Sequence, residues 1–567
     1  MLRINELRVP LVREFEQNLP EHHLQGEQED KLNAQLHEQL KQAIITRLKI
    51  KPAELISFNV FKRSYDARKV REILLSYAVD VELADEATVL ARFADDIHIK
   101  PSPDTSYHFV AKVDAFPAGQ QRPIVIGFGP CGLFAALLLA QMGLRPIVLE
   151  RGRDVRQRTK DTWGLWRKKV LNPESNVQFG EGGAGTFSDG KLYSQIKDPK
   201  HYGRKVINEF VKAGAPDEIL YINKPHIGTF RLVGVIERMR AEIISLGGEV
   251  RFESRVTDVV LDQSGDSMQI IGVQLASGEV LHSRHVVLAL GHSARDTVEM
   301  LHAHGVFMEA KPFSIGFRVE HPQSIIDKAR FGDYAGHPIL GAADYKLVHH
   351  ARNGRSVYSF CMCPGGTVVA ATSEPNRVVT NGMSQYSRNE RNANSGIVVG
   401  IEPKDYGDDS PLAGIAFQRF WESRAFELGG GDYSAPAQLL GDFVADQAST
   451  GEGSVLPSYK PGVKWGDLNS SLPEYAITAV RQALPAFDKQ IRGYNLYDAV
   501  ITGVETRTSS PVRVTRDGES YQSLNVKGLY PAGEGAGYAG GILSAGVDGI
   551  YVAEAIAKDL LGIAESV

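Results

Sequence analysis

Hydrophobic positions alternate with polar ones over residues 1–11, 56–65 and 73–83, and recur at helical spacing over 31–48 and 84–93. With a further apolar stretch at 108–115, the pattern predicts strand, helix, two strands, helix and strand, the ferredoxin-like order. Residues 115–122, which carry proline, glycine and paired glutamines, read as a linker. From 123 the pattern changes. Ile124, Val125 and Ile126 form a short apolar strand, followed by glycines, an apolar helix from Leu133, Gly143 at its end, and a second strand at Ile147, Val148 and Leu149. This is the opening of a β-α-β unit with a parallel sheet. Residues 307–494 differ again, with short strands such as 356–361 and 368–371 and helices such as 412–428 and 472–483, and read as an inserted domain. A strand at 530–532, a glycine-rich turn and a helix to about 561 close the pattern.

Composition narrows the class. At about 150 residues per domain, 567 residues make two to four domains. Charged residues at 23% and hydrophobic residues at 43% are ordinary for a globular chain. A net charge of −5 supplies no basic field for nonspecific nucleic-acid binding. The longest apolar run, 133–142, is too short to cross a bilayer, and the charged start lacks the apolar core of a signal peptide. Three cysteines make no disulfide framework and suit a reducing compartment. The expectation is a cytoplasmic protein with a small-molecule substrate and neither a membrane nor a nucleic-acid partner. Glycine is in excess, 56 of 567 residues, and is concentrated in a few loops.

The first of these loops, Gly127-x-Gly129-x-x-Gly132, lies between strand and helix, and Glu150 ends the next strand. The first glycine permits a tight turn, the second lets backbone approach a pyrophosphate, and the third lets the helix pack against the strand. Phosphates then meet the open amides at the helix start, with Pro130 and the small Cys131 inside the same turn. Glu150 is placed to accept hydrogen bonds from an adenosine ribose. The motif by itself does not choose between FAD and NAD.

Further segments do: GEGGAGTFSDGKL (180–192), LALGHSARDT (288–297), GVETRTSSPVR (503–513) and GEGAGYAGGILSAGVDG (533–549). With these the chain resembles the bacterial FAD-dependent dehydrogenases, NAD(FAD)-utilising dehydrogenase-like flavoproteins of the glutathione-reductase superfamily whose substrates are unassigned. The resemblance implies an α/β fold. It has a Rossmann-like FAD-binding domain (122–306 and 495–567), an inserted α+β substrate or cap domain (307–494), and an N-terminal ferredoxin-like α+β domain (1–116). It implies noncovalent FAD held by Gly127, Gly129, Gly132 and Glu150, with Arg151 as a phosphate or adenine neighbour and the Val256 backbone on adenine. Gly182, Gly183, Ala184, Gly185 and Thr186 run beside the flavin, and Gly291 ends a strand at the site. Gly533 and Glu534 hold the ribityl chain, although the family pattern has Asp in place of Glu534. The helix starting near Gly541 and Ile542 aims its N-terminus at the flavin ring. No second strand-linked G-x-G-x-x-G occurs between 291 and 503, so NAD(P)H is expected only as a transient donor.

For catalysis, the cluster Glu505, Arg507 and Arg513 supplies charge just before the last FAD motif, and guanidinium forks suit an anionic substrate. His226 is a further candidate. Two-electron hydride transfer to or from a small organic anion is the expected reaction. His349 and His350 lack partners at ligand spacing, so no metal is expected. Cys361-Met-Cys363 reads as two strand thiols, because a C-x-C bridge would strain a regular strand. Two alternatives stand beside the dehydrogenase. One is an RNA-modifying flavoenzyme, suggested by the aromatic and basic residues of 58–65. The other is a noncatalytic FAD-stabilised protein whose N-terminal unit engages a protein partner.

Overall fold

A computed structural model describes residues 1–12, 27–265 and 267–563. Its nucleotide-binding part is built on five short strands, all parallel, in the order Leu529–Pro531, Val286–Leu288, Ile124–Ile126, Ile147–Leu149 and Glu249–Arg251. The three central strands are nearly continuous runs of buried aliphatic residues, as expected where helices cover both faces of a parallel sheet. One covering helix, Pro130–Gln141, is apolar all round and buried over residues 131–140. It packs against helix Ile542–Leu561 so closely that a Cβ on Gly549 would lie 2.3 Å from the Cys131 carbonyl oxygen. Ile124–Ile126 has neighbours on both sides that arrive by separate crossovers, which makes its C-terminal end the switch point where such sheets bind ligands.

The N-terminal residues form a four-stranded antiparallel sheet in the order Leu55–Asp66, Leu74–Leu83, Leu2–Pro10 and Ile99–Pro101, with helices Glu27–Leu48 and Glu86–Arg92 between strands. That is the β-α-β-β-α-β order, but its last strand is Ile99–Pro101 and not 108–115. The apolar side chains of 107–116 serve instead to dock this segment on the nucleotide-binding helices. Tyr107 donates to Glu554 at 2.8 Å, the Val113 amide donates to the Met142 carbonyl at 3.1 Å, and Phe109 and Val113 pack on that core. The aromatic residues of 58–65 are engaged as well. Phe61 lies beneath Arg3, 3.5 Å from the ring centroid, and near Arg204 at 4.8 Å, while Tyr65 meets Phe331 edge-on.

The insertion centres on a seven-stranded sheet: Val348–His350, Ser356–Cys363, Asn392–Ile401, Phe313–Pro322, Val500–Glu505, Ala435–Leu439 and Val463–Trp465. Val500–Glu505 lies inside this sheet, hydrogen-bonded to Phe313–Pro322 and Ala435–Leu439, so the boundary expected at 494 divides a single sheet. At the base of the insertion, Met308–Ala310 pairs antiparallel with Val512–Val514 and joins the outgoing and returning chains. No helix among the described residues is long and apolar enough to cross a membrane.

Candidate functional site

Three loops leave the C-terminal ends of the parallel strands and meet, backbone to backbone, a fourth loop (180–186) that follows helix Val155–Lys168. A Cβ on Gly127 would lie 2.4 Å from the Ala289 carbonyl oxygen, and one on Gly132 would lie 2.0 Å from the Gly127 carbonyl oxygen. Gly183 takes φ +62°, and its Cβ would fall 2.7 Å from the Gly129 Cα. A Cβ on Gly535 would fall 2.4 Å from the Gly291 carbonyl oxygen, and one on Gly533 2.8 Å from the Cys131 Cβ. Gly185 connects two helix starts: its Cβ would be 2.9 Å from Ile542 and 3.6 Å from Pro130. The first-turn amides of both helices lack intrahelical acceptors, and the helix dipoles favour an anion there. Glycine is needed because a Cβ at these positions would collide with the backbone or side chain of the neighbouring loop.

Glu150 has a different task from the one expected. Its carboxylate is buried and accepts from the amides of Phe128 at 2.9 Å, Gly152 at 2.8 Å and Gly180 at 2.9 Å. A carboxylate offers about four acceptor positions, so Glu150 mainly braces two glycine loops and retains at most one position for a ribose. Arg151 is paired with Glu174 at 2.9 Å and Asp296 at 2.8 Å and covers the Phe179 ring, which removes it as an open phosphate ligand. Val256 is buried at the start of a strand paired with Met268–Leu275. Ala184 and Thr186 lie in the short helical turn Ala184–Phe187, with Thr186 buried.

Arg158, which the sequence pattern did not mark, organises this loop. Fully buried, it donates to the carbonyls of Asn176, Val177, Gly180 and Glu181 at 2.6–3.2 Å, and burial lowers its guanidinium to about 10. Burial raises Glu181 to about 7, although the Val155 amide and Arg240 oppose the shift. On the other side of the cradle, burial raises Glu534 to about 7 against the opposing charge of Lys311. Its carboxylate is 4.0 Å from His292. Burial and the charges of Arg507 and Arg295 lower His292 to about 3, so at neutral pH it is an uncharged neighbour.

Three of the four expected catalytic residues are committed elsewhere. Arg507 is buried and forks onto Glu422 with two bonds of 3.0 Å, and it also donates to Ser293 and Ser373. Arg295 grips the same Glu422 carboxylate at 2.7 and 3.0 Å. The guanidinium of Arg507 therefore joins the insertion to the 291–295 loop and presents no free fork to an anion. Glu505 forms a bidentate pair with the fully buried Arg318 at 2.7 and 2.9 Å. Arg513 is half exposed and pairs with Glu309 across the base of the insertion.

Only His226 among the four lines a wide cleft, a volume of about 1730 Å³ where the N-terminal sheet, the nucleotide-binding part and the insertion meet. Its Nε2 donates to the Tyr386 carbonyl at 2.9 Å. Burial and the Arg388 charge lower it to about 4, despite the Asp189 carboxylate. Tyr65, which belongs to the aromatic and basic run of 58–65, lines this wall with residues the sequence reading did not single out for a site: Lys191, Tyr193, Arg231, Arg330 and Tyr386. The Nε of Arg330 is buried without a hydrogen-bond partner. Lys191 is seated by the buried Asp189, 4.0 Å away, which also holds Arg388. The available signal was the closely spaced opposite charges Asp189 and Lys191 at the end of the glycine-rich motif of 180–192.

Residues 312–508 match a family model described as FAD-dependent protein, C-terminal domain-like, bounds that fall just inside the paired strands at the base of the insertion. Residues 1–82 match a domain of unknown function. An uncharacterized protein of Clostridium beijerinckii (strain ATCC 51743 / NCIMB 8052) is 48% identical over 522 residues, covering 91% of this chain and 95% of that protein. Among solved structures, the L-amino acid deaminase from Proteus myxofaciens in complex with anthranilate is 11% identical. That match covers 80% of this chain and 93% of the deaminase, with a TM-score of 0.33. The glycine oxidase from Bacillus cereus ATCC 14579 is 12% identical, covering 79% of this chain and 96% of the oxidase, with a TM-score of 0.30.

Proposed function

We propose that this chain, which belongs to one family with the Clostridium beijerinckii protein, is an FAD-dependent oxidoreductase. It transfers a hydride between noncovalently bound flavin and an organic anion, and NAD(P)H serves only as a transient donor. The observation that carries this reading is the convergence of the glycine loops and two helix N-termini at the switch point of the parallel sheet. Residues 127–132 and the start of helix Pro130–Gln141 fit a pyrophosphate. Residues 182–186 fit the flavin edge, and Gly533, Glu534 and helix Ile542–Leu561 fit the ribityl chain and the polar side of the ring. FAD, when bound, supplies a two-electron acceptor and donor.

The chain's own residues do the rest. Substrate enters the three-part cleft, since ligand sites favour domain boundaries. Its volume of about 1730 Å³ exceeds the roughly 300–1,000 Å³ of an ordinary small-ligand site and suits an extended substrate. Arg330, Arg231 and Lys191 provide positive charge, and Tyr65, Tyr193 and Tyr386 provide flat walls. With Arg507 consumed by Glu422, the anion-binding task passes to Arg330. An anaerobic screen of carboxylates and phosphates, read by bleaching of flavin absorbance, tests this reading. Arg330→Met should keep FAD and lose bleaching by the active compound. A variant that bleaches as fast as the parent would place the anion elsewhere.

Glu534 gives the site a pH dependence. Its carboxyl titrates near 7 because burial disfavours the charged form, so it is neutral below that pH and anionic above it. The flavin absorbance of the holoprotein should show an inflection near pH 7 that Glu534→Gln lacks. An unchanged inflection in the variant would assign it to another group.

A further inference from the structure

The objection to a bridge between Cys361 and Cys363 was the geometry of a regular strand, and the strand is not regular there. Ser356–Cys363 pairs evenly with Asn392–Ile401 as far as Phe360↔Gly396, and then slips before Cys363↔Asn394. The extra residue makes a β-bulge, of the kind that re-aims side chains next to functional sites. Cys361 has φ +43°, a left-handed conformation uncommon for any residue but glycine. Alternate residues of a straight strand are about 6.6 Å apart, near the upper limit of the Cα separation a disulfide accepts. The bulge and the left-handed residue depart from that straight geometry. The Cys363 thiol turns back on Cys361 and donates to its carbonyl oxygen at 3.4 Å.

The surroundings are charged and poised. Arg318 donates to the Cys361 carbonyl at 2.8 Å, and Lys191 donates to the Met362 carbonyl. Cys361 is partly exposed and Cys363 is fully buried, while Lys191 lines the cleft. This is the division of labour of an attacking thiol and a resolving thiol. The hydrogen bond from Cys363, with the charges of Lys191 and Arg318, holds Cys361 well below the usual thiol range despite burial, and Cys363 is raised. Negative charge on Cys361 also contributes to raising Glu534, which places the thiol in the electrostatic neighbourhood of the last glycine motif.

We propose that Cys361 and Cys363 form a dithiol–disulfide couple that exchanges two electrons with the bound flavin, an inference that rests on the FAD reading above. In the oxidising direction, the Cys361 thiolate and the Cys363 thiol form one S–S bond, giving up two electrons and the Cys363 proton. Oxidised flavin takes up the two electrons and one proton, so atoms and charge balance. In the reducing direction the same electrons and proton return and the S–S bond breaks.

The test uses the full-length holoprotein with its FAD content measured first. Protein is oxidised with diamide, freed of reagent, and titrated anaerobically with dithionite. The proposal expects four electrons per FAD in the parent and two in Cys361→Ser and in Cys363→Ser, with FAD content unchanged. Mass spectrometry of the oxidised parent should find an internal disulfide in the peptide holding both cysteines. Two electrons per FAD in the parent, or no such disulfide, overturns the couple while leaving the FAD reading intact. Protein that cannot be loaded with FAD overturns both.

Discussion

Replacing Glu422 with leucine should destabilise the protein by about 3–5 kcal/mol, the usual result of leaving buried charges without their partner. Glu422 lies on helix Ala413–Leu428 of the insertion, with its carboxylate fully buried between Arg295 and Arg507. Thr506 donates to the same carboxylate at 2.9 Å. Leucine would leave the buried Arg295 and Arg507 with Glu374 as their one remaining carboxylate partner among the described residues. Substituting Arg507→Met in the same chain should recover part of the loss, because one of the two buried charges disappears with it. Acid should show the same dependence. Burial pushes the Glu422 carboxyl up, but the charges of Arg295 and Arg507 outweigh burial and hold it well below its ordinary value of 4.5. A group lowered in this way stabilises the fold above its unfolded value, and that contribution is lost as pH falls through the folded one. The melting temperature of the parent should therefore drop below about pH 4.5 with a slope that Glu422→Leu lacks. Equal slopes in the two proteins would show that the carboxylate is not paired as described.

Gly183→Ala should weaken FAD binding by at least about 100-fold and also lower the melting temperature of the FAD-free protein. Two costs are present and can be separated. Gly183 has φ +62° and ψ −168°, a region essentially restricted to glycine, where a Cβ costs on the order of 1–3 kcal/mol. The added methyl would also sit 2.7 Å from the Gly129 Cα, forcing the two loops apart where the pyrophosphate is to be held. Gly562, with φ +63°, ψ +31° and nothing within 4 Å of its Cβ, carries only the milder left-handed cost of on the order of 1 kcal/mol. Gly562→Ala should lose about that much stability and bind FAD normally. If both variants bind FAD equally well, the approach of Gly129 and Gly183 does not form the cofactor site.

The parallel sheet was legible because its information is local. A triplet such as Ile124, Val125 and Ile126, followed by a fixed glycine spacing and an apolar helix, leaves few ways to fold. The helical and strand patterns of 31–83 were legible for the same reason. The segment 107–116 misled because apolar side chains that dock a linker on helices resemble those of a strand. The charged loop of 505–513 misled because its partners are distant: Glu422 pairs with Arg507, and Arg318 pairs with Glu505 across 187 positions. A cluster of charges near a cofactor motif looks like a substrate site until those partners are seen. The bulge at Cys361 lay beyond reach as well, since it exists only in the register between Ser356–Cys363 and Asn392–Ile401. Lys191 and Asp189 stood inside a recognised motif, yet only the fold shows that Lys191 lines the cleft while the buried Asp189 holds it there.

The most direct measurement is the flavin content and linkage of the purified protein. After loading with excess FAD and removal of the free cofactor, the absorbance spectrum should report one FAD per chain. Acid precipitation should release all of it into the supernatant, leaving a colourless pellet. A chain that retains no FAD after loading, or a pellet that keeps its yellow colour, would contradict the account: the first removes the cofactor, and the second makes its attachment covalent.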